Sequence, residues 1–204
     1  MSKYSLTFVN NSTLFGSFCI YLKDPQQDID PNLFTLAWLV RPSYNGTKTV
    51  FNWDVEYGLT WSESGKLGDG KVDFTSSETR IIDPSNPNNN ALGIVKENGA
   101  YRFTEGVQSY PKGALGIRSD HTIPVEGLTL GITMSGQPAF AIPATPNYSF
   151  CFEPHLEYWA AFGNFIPGEV IDVNTVSSTA KINFPFGEFD RTVTFNEDNT
   201  WTVG

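Results

Sequence analysis

From residue 174 to residue 204 the chain reads strand, turn, strand, turn, strand almost without interruption. In Thr179-Ala180-Lys181-Ile182-Asn183-Phe184 and again in Arg191-Thr192-Val193-Thr194-Phe195, residues of opposite character alternate. A period of two sends successive side chains to opposite faces of a pleated strand. Asn196-Glu197-Asp198-Asn199 supplies turn chemistry, and Thr200-Trp201-Thr202-Val203 resumes the alternation. The pattern argues for an all-β protein whose last residues belong to a sheet.

The same signal recurs upstream. Strand-like runs cover residues 4–9, 15–22, 33–41, 48–57, 92–96, 100–104, 114–118, 128–134, 139–142, 148–152 and 169–173. Turn signals separate nearly all of them: Asn10-Asn11-Ser12, Asn45-Gly46, Gly68-Asp69-Gly70, Glu97-Asn98-Gly99 and Gly136-Gln137-Pro138. Asn98-Gly99 between two strand-like runs is the strongest hairpin signal. No segment holds an apolar period of 3.6 over three turns. The best helix candidate, residues 154–162, reads equally well as a strand. Residues 23–32 and 83–90 are loops by composition. Strands at this spacing predict a single antiparallel two-layer β-sandwich, with a jelly-roll-like arrangement as one form of it.

A chain of 204 residues fits one β-domain, residues 1–204. At this size about 70% of the unfolded surface is buried, so the core needs neither disulfide nor metal. Sixteen Phe, eight Tyr and five Trp supply that core. The formal charge of −9 and the absence of basic runs argue against nucleic acid and anionic membrane as partners. Cys19 and Cys151 sit among apolar neighbours and read as free thiols in strands, although a disulfide between them stays open. Met1-Ser2-Lys3-Tyr4-Ser5 has no signal-peptide pattern, and no apolar stretch is long enough for a spanning helix, so a cytoplasmic location is expected, with release by a route that needs no signal peptide left open.

Candidate chemistry is sparse. His121 follows Ser119-Asp120 at a turn and reads as solvated. His155 has Glu153 and Glu157 two residues away on either side, which suits a metal cluster or a general base. The plainer reading is a loop histidine that ties down a chain reversal, and it is preferred. Paired carboxylates for glycoside hydrolysis are available among Asp54, Glu56, Glu153, Glu157, Glu169 and Asp172, as in any acidic β-protein. Trp53, Trp61 and Trp159 are candidate sugar platforms, against the commoner role of buried strand aromatics. Asp24, Asp28 and Asp30 resemble half of a calcium loop but lack its glycine and closing glutamate. No nucleophile elbow, phosphate loop or Cys-x-x-Cys occurs, so no cofactor is expected, and the metal question stays open.

Tyr4-Ser5-Leu6-Thr7-Phe8-Val9-Asn10-Asn11-Ser12 and Gly16-Ser17-Phe18-Cys19-Ile20-Tyr21 resemble the opening of the RhiA-like proteins, a rhizosphere-expressed bacterial family. Phe34-Thr35-Leu36-Ala37-Trp38, Ile132-Thr133-Met134-Ser135-Gly136 and Asn199-Thr200-Trp201-Thr202-Val203 are similar too. So is the run from Pro154-His155-Leu156-Glu157 through Tyr158-Trp159-Ala160-Ala161 to Phe162-Gly163-Asn164. The resemblance implies abundant, density-regulated expression and supplies no catalytic residue. The expected function is therefore a non-catalytic protein that acts by self-assembly or interaction, with a homo-oligomer as partner. A lectin-like module binding glycans, with or without calcium, is the alternative, and a glycoside-active enzyme the remote one.

Overall fold

The computed structural model describes residues 3–63, 74–173, 176 and 178–204. Among these residues lie eighteen β-strands, one 3-10 turn (Pro25–Asp28) and no α-helix. The first nine strands are β1 (Lys3–Asn10), β2 (Gly16–Lys23), β3 (Phe34–Leu36), β4 (Leu39–Ser43), β5 (Lys48–Asp54), β6 (Tyr57–Ser62), β7 (Glu78–Ile82), β8 (Ala91–Glu97) and β9 (Ala100–Thr104). The rest are β10 (Leu115–Ser119), β11 (Thr129–Met134), β12 (Gln137–Pro143), β13 (Ser149–Phe152), β14 (Glu157–Gly163), β15 (Val170–Ile171), β16 (Thr179–Ile182), β17 (Asp190–Phe195) and β18 (Trp201–Val203). They form four sheets, ordered β18-β17-β1-β5, β16-β14-β2-β4, β15-β3-β12-β11-β6-β7 and β13-β10-β8-β9. Neighbours run antiparallel except β1 with β17 and β10 with β8. The protein is all-β, with several antiparallel sheets.

Alternation decides which face each strand buries. On β1, Leu6 and Phe8 are buried while Ser5, Thr7 and Val9 point the other way. On β17, Val193 and Phe195 are buried. Phe8 of β1 stacks on Phe18 of β2 with ring centres 4.1 Å apart, which joins two sheets face to face. Trp38 meets Trp53 at 5.6 Å, Trp61 meets Tyr101 at 5.7 Å, and Phe140 meets Phe152 at 5.3 Å. One apolar cluster draws residues from all four sheets, including Leu6, Ile20, Ile132 and Ile117.

Two of the long strand-like runs divide where the chain changes sheet. Residues 33–41 become β3 and β4, which belong to different sheets. Between them Ala37 exchanges backbone hydrogen bonds with Gly168 and Glu169, and the Trp38 indole donates to the Met134 carbonyl at 2.8 Å. Residues 48–57 likewise end β5 and enter β6 in another sheet. Of the undecided run 154–162, the part from Glu157 onward is a strand, β14 (Glu157–Gly163). Asn98 and Gly99 have φ of 51° and 84° and join β8 to β9, as the hairpin signal predicts. The Gly68-Asp69-Gly70 turn lies outside the described residues. Among those residues no helix is long and apolar enough to cross a membrane.

Candidate functional site

β2 ends at Lys23, and Asp24 caps the 3-10 turn that follows. One Asp24 carboxylate oxygen accepts from the Gln26 amide at 2.9 Å, and the Gln27 side chain accepts from the Asp24 amide at 3.1 Å. The other carboxylate oxygen accepts from the His155 amide at 2.7 Å. Gln26 spans the same gap. Its Nε2 donates to the Cys151 carbonyl at 2.6 Å, and its Oε1 accepts from the Glu153 amide at 3.3 Å. The turn thus stands in for a neighbouring strand and satisfies backbone groups where the chain passes from β13 to β14.

His155 Nδ1 lies 2.9 Å from the Glu153 carbonyl. A carbonyl only accepts, so Nδ1 is the donor in this contact. The histidine therefore ties down the chain reversal, with its ring exposed. A cleft of about 410 Å³ opens beside it, lined by Asp24, Pro25, Gln26, Cys151, Glu153 and His155. Burial, and then the Glu153 carboxylate, push the Cys151 thiol up. A nucleophilic cysteine needs the opposite shift. Among the described residues no three His, Cys, Asp or Glu side chains gather as a metal site, and Asp24 spends both carboxylate oxygens on backbone amides.

A second cleft of about 290 Å³ shares Asp24 and Pro25 with the first and is lined also by Lys23, Gln27, Asp28 and Glu157. Lys181 pairs with Glu157, and the Trp159 indole donates to the same carboxylate at 3.2 Å. The Lys181 bond is the main force holding Glu157 below the usual carboxylate range; desolvation opposes it and the Trp159 bond helps. The Lys23 ammonium sits 4.1 Å from the centre of the Trp159 ring, a cation–π contact.

The structure thus places Glu153 and His155 at one cleft and Glu157, with Trp159 on it, at the other. The two glutamates do not flank a common space. Trp53 and Trp61 belong to neither cleft, being 3% and 8% exposed. Trp53 is walled in by Tyr4, Trp38, Tyr158 and Phe184. Trp61 packs on Tyr101. Neither ring offers a face to a sugar, which corrects their reading as platforms; strand aromatics here serve the core. Cys19 and Cys151 are both free. Lys23, Gln26 and Lys181 carry no sequence signal of their own. Asp24 with Gln27 does: a capping residue followed three positions later by glutamine, with Pro25 between, is an N-terminal turn signature.

The family model described as RhiA matches residues 1–204. Protein RhiA of Rhizobium leguminosarum bv. viciae is 32% identical over 205 residues, covering 99% of this chain and 86% of that protein. No solved structure matches significantly. With its whole length matched and a third of its residues shared, the chain belongs to the RhiA family.

Proposed function

We propose that the protein is non-catalytic and acts by joining copies of itself, as a structural or storage-type protein. One observation carries the reading: the outer face of the β18-β17-β1-β5 sheet. Register sets Thr192, Thr7 and Val50 in one row across three strands, and Thr194, Val9 and Lys48 in the next. Thr202 extends the second row onto β18. Val50 is 49% exposed, and Thr192 and Thr202 are exposed as well. Short β-branched side chains give a level surface. In a chain of formal charge −9 these two rows carry no carboxylate.

Bordering the first row on its other side are Asp190, Ser5 and Asn52, so Lys48 and Asp190 occupy opposite corners of the patch. A two-fold axis lying in the plane of the face sets each Lys48 over Asp190 of the second copy, a self-complementary contact. The edges of this sheet are the weaker offer here. β4 lies beside β5 and β16 beside β18, so these edges shelter one another. The patch spans roughly 250–450 Å² by strand spacing and rise. That is under the roughly 800 Å² per partner of a stable complex, so association is weak and driven by abundance. The same reading takes residues 1–204 as one domain with its sheets layered as an antiparallel sandwich, supported by the Phe8–Phe18 stack.

Light scattering over a concentration series tests the reading. The mean mass should rise with concentration. Thr7→Lys with Val50→Lys should restore the monomer mass without lowering the melting temperature. A monomer at every concentration, or association indifferent to both substitutions, would sink it.

A further inference from the structure

We infer that the cleft between β7 and the segment following β9 binds a neutral polyhydroxylated ligand, a mono- or oligosaccharide. The cleft holds about 500 Å³, within the roughly 300–1,000 Å³ of small-molecule sites. Arg80, Asn88, Asn89, Glu105 and Ser109 line it, with Ile81 and Val107 as apolar surface. The side chains of Asn88, Asn89, Glu105 and Ser109 make no hydrogen bond or ion pair among the described residues, in contrast to the spent groups around Asp24. Ile81 is 63% exposed although it lies in a strand.

The walls are built rather than adventitious. Asp83 accepts from the Ser85 amide at 2.9 Å, and its own amide donates to the Asn89 carbonyl at 2.8 Å, which closes the loop carrying Asn88 and Asn89. Asn90 is fully buried and clamps the opposite wall. Its Nδ2 donates to the carbonyls of Tyr110 and Ala114 at 2.9 and 3.0 Å, and its Oδ1 accepts from the Tyr110 amide at 3.2 Å. Gly93 lets Thr104 and Val107 lie against the strand: a Cβ there would come within 2.2 Å of Thr104 Oγ1 and 2.9 Å of Val107 Cγ1. The free side chains therefore project from a fixed frame.

The chemistry of the lining selects the ligand. Guanidinium, carboxamide and carboxylate are planar groups with paired donors or acceptors, matched to adjacent hydroxyls. Arg80 is held by Glu78, its Nε donating to Glu78 Oε1 at 2.9 Å, so Glu105 is the one uncompensated charge of the lining and an acidic ligand is disfavoured. Ile81 and Val107 offer apolar contact for a pyranose C–H face. The site stands apart from the self-association face and is indifferent to its fate.

Isothermal titration with neutral sugars tests it: glucose, galactose, mannose, N-acetylglucosamine and their short oligomers. At least one should bind with a dissociation constant of roughly millimolar or tighter. Asn89→Ala and Glu105→Gln should each weaken it by about tenfold, the scale of a lost hydrogen bond. Trp159→Phe and Glu157→Gln should leave it unchanged. Both cleft substitutions alter exposed side chains, and melting temperatures verify folding. The proposal is overturned if no neutral sugar binds, if acidic sugars are preferred, or if only the Trp159 and Glu157 variants lose binding.

Discussion

A single buried carboxylate, Asp24, secures two separated stretches of chain, and its loss should be felt at both. Asp24→Ala removes the cap of the 3-10 turn, about 1 kcal/mol, and orphans the His155 amide, about 1–3 kcal/mol. Urea unfolding should therefore show a loss of about 2–4 kcal/mol, with Asp24→Asn losing less because its amide oxygen can still accept. Glu157 makes a pH prediction. Its folded-state pKa lies below the usual value, mainly through Lys181. Its contribution is complete above the ordinary glutamate value of about 4.3 and disappears as pH falls through the lowered folded value. Glu157→Gln should flatten the acid limb of melting temperature against pH and leave neutral pH nearly unchanged, since the pair is largely exposed. For the thiols, Cys19 is buried and pushed far up by desolvation, while Cys151 is only partly buried. A thiol reagent on native protein should label Cys151 slowly and Cys19 only after unfolding. Residues 23–32 read as a loop by composition, so the cap formed by Asp24 goes unread there, and its target at His155 leaves no local signal because it lies 131 residues away.

At the level of elements, period-two alternation finds strands well and sheet membership poorly. β9 and β17 sit where the alternation places them because each turns one face to the core and one to solvent. β7 escapes notice because Thr79, Arg80 and Ile81 are all exposed, so no apolar face marks it. The break between β3 and β4 is invisible because a strand that changes sheet keeps its strand-like composition. The closing β18 is legible and energetically concrete. Trp201 packs 4.8 Å from Phe195 and 6.2 Å from both Phe8 and Phe18, a cross-sheet wedge. Deleting residues 200–204 should abolish soluble folding, and wild-type-like melting of the truncated chain would refute that. The buried Trp201 Nε1 has no hydrogen-bond partner among the described residues. Trp201→Phe should therefore retain much of the stability that Trp201→Ala loses, a loss of about 3 kcal/mol by truncation of a packed aromatic. Chemical denaturation of the two variants separates ring packing from hydrogen bonding.

For the whole molecule, charge decides how the proposed self-association responds to solution conditions. Each copy carries a formal charge of −9, so two copies repel over the Debye length, about 30 Å at 0.01 M salt and about 10 Å at 0.1 M. Against this, the face-to-face contact offers two Lys48–Asp190 pairs, which are short-ranged. Salt should screen the repulsion more than the pairs, so association should strengthen from low to moderate ionic strength. A contact held mainly by ion pairs would do the reverse. The geometry is tested separately by charge exchange. Lys48→Asp alone and Asp190→Lys alone each set like charges opposite one another across the two-fold axis, and each should weaken association in light scattering. Combined in one chain, they restore opposite charges at both corners and should recover the wild-type mass curve. The net charge of the double variant equals that of the wild type, so recovery cannot come from reduced repulsion. If the double variant stays as weak as the singles, Lys48 and Asp190 do not meet, and association uses another surface.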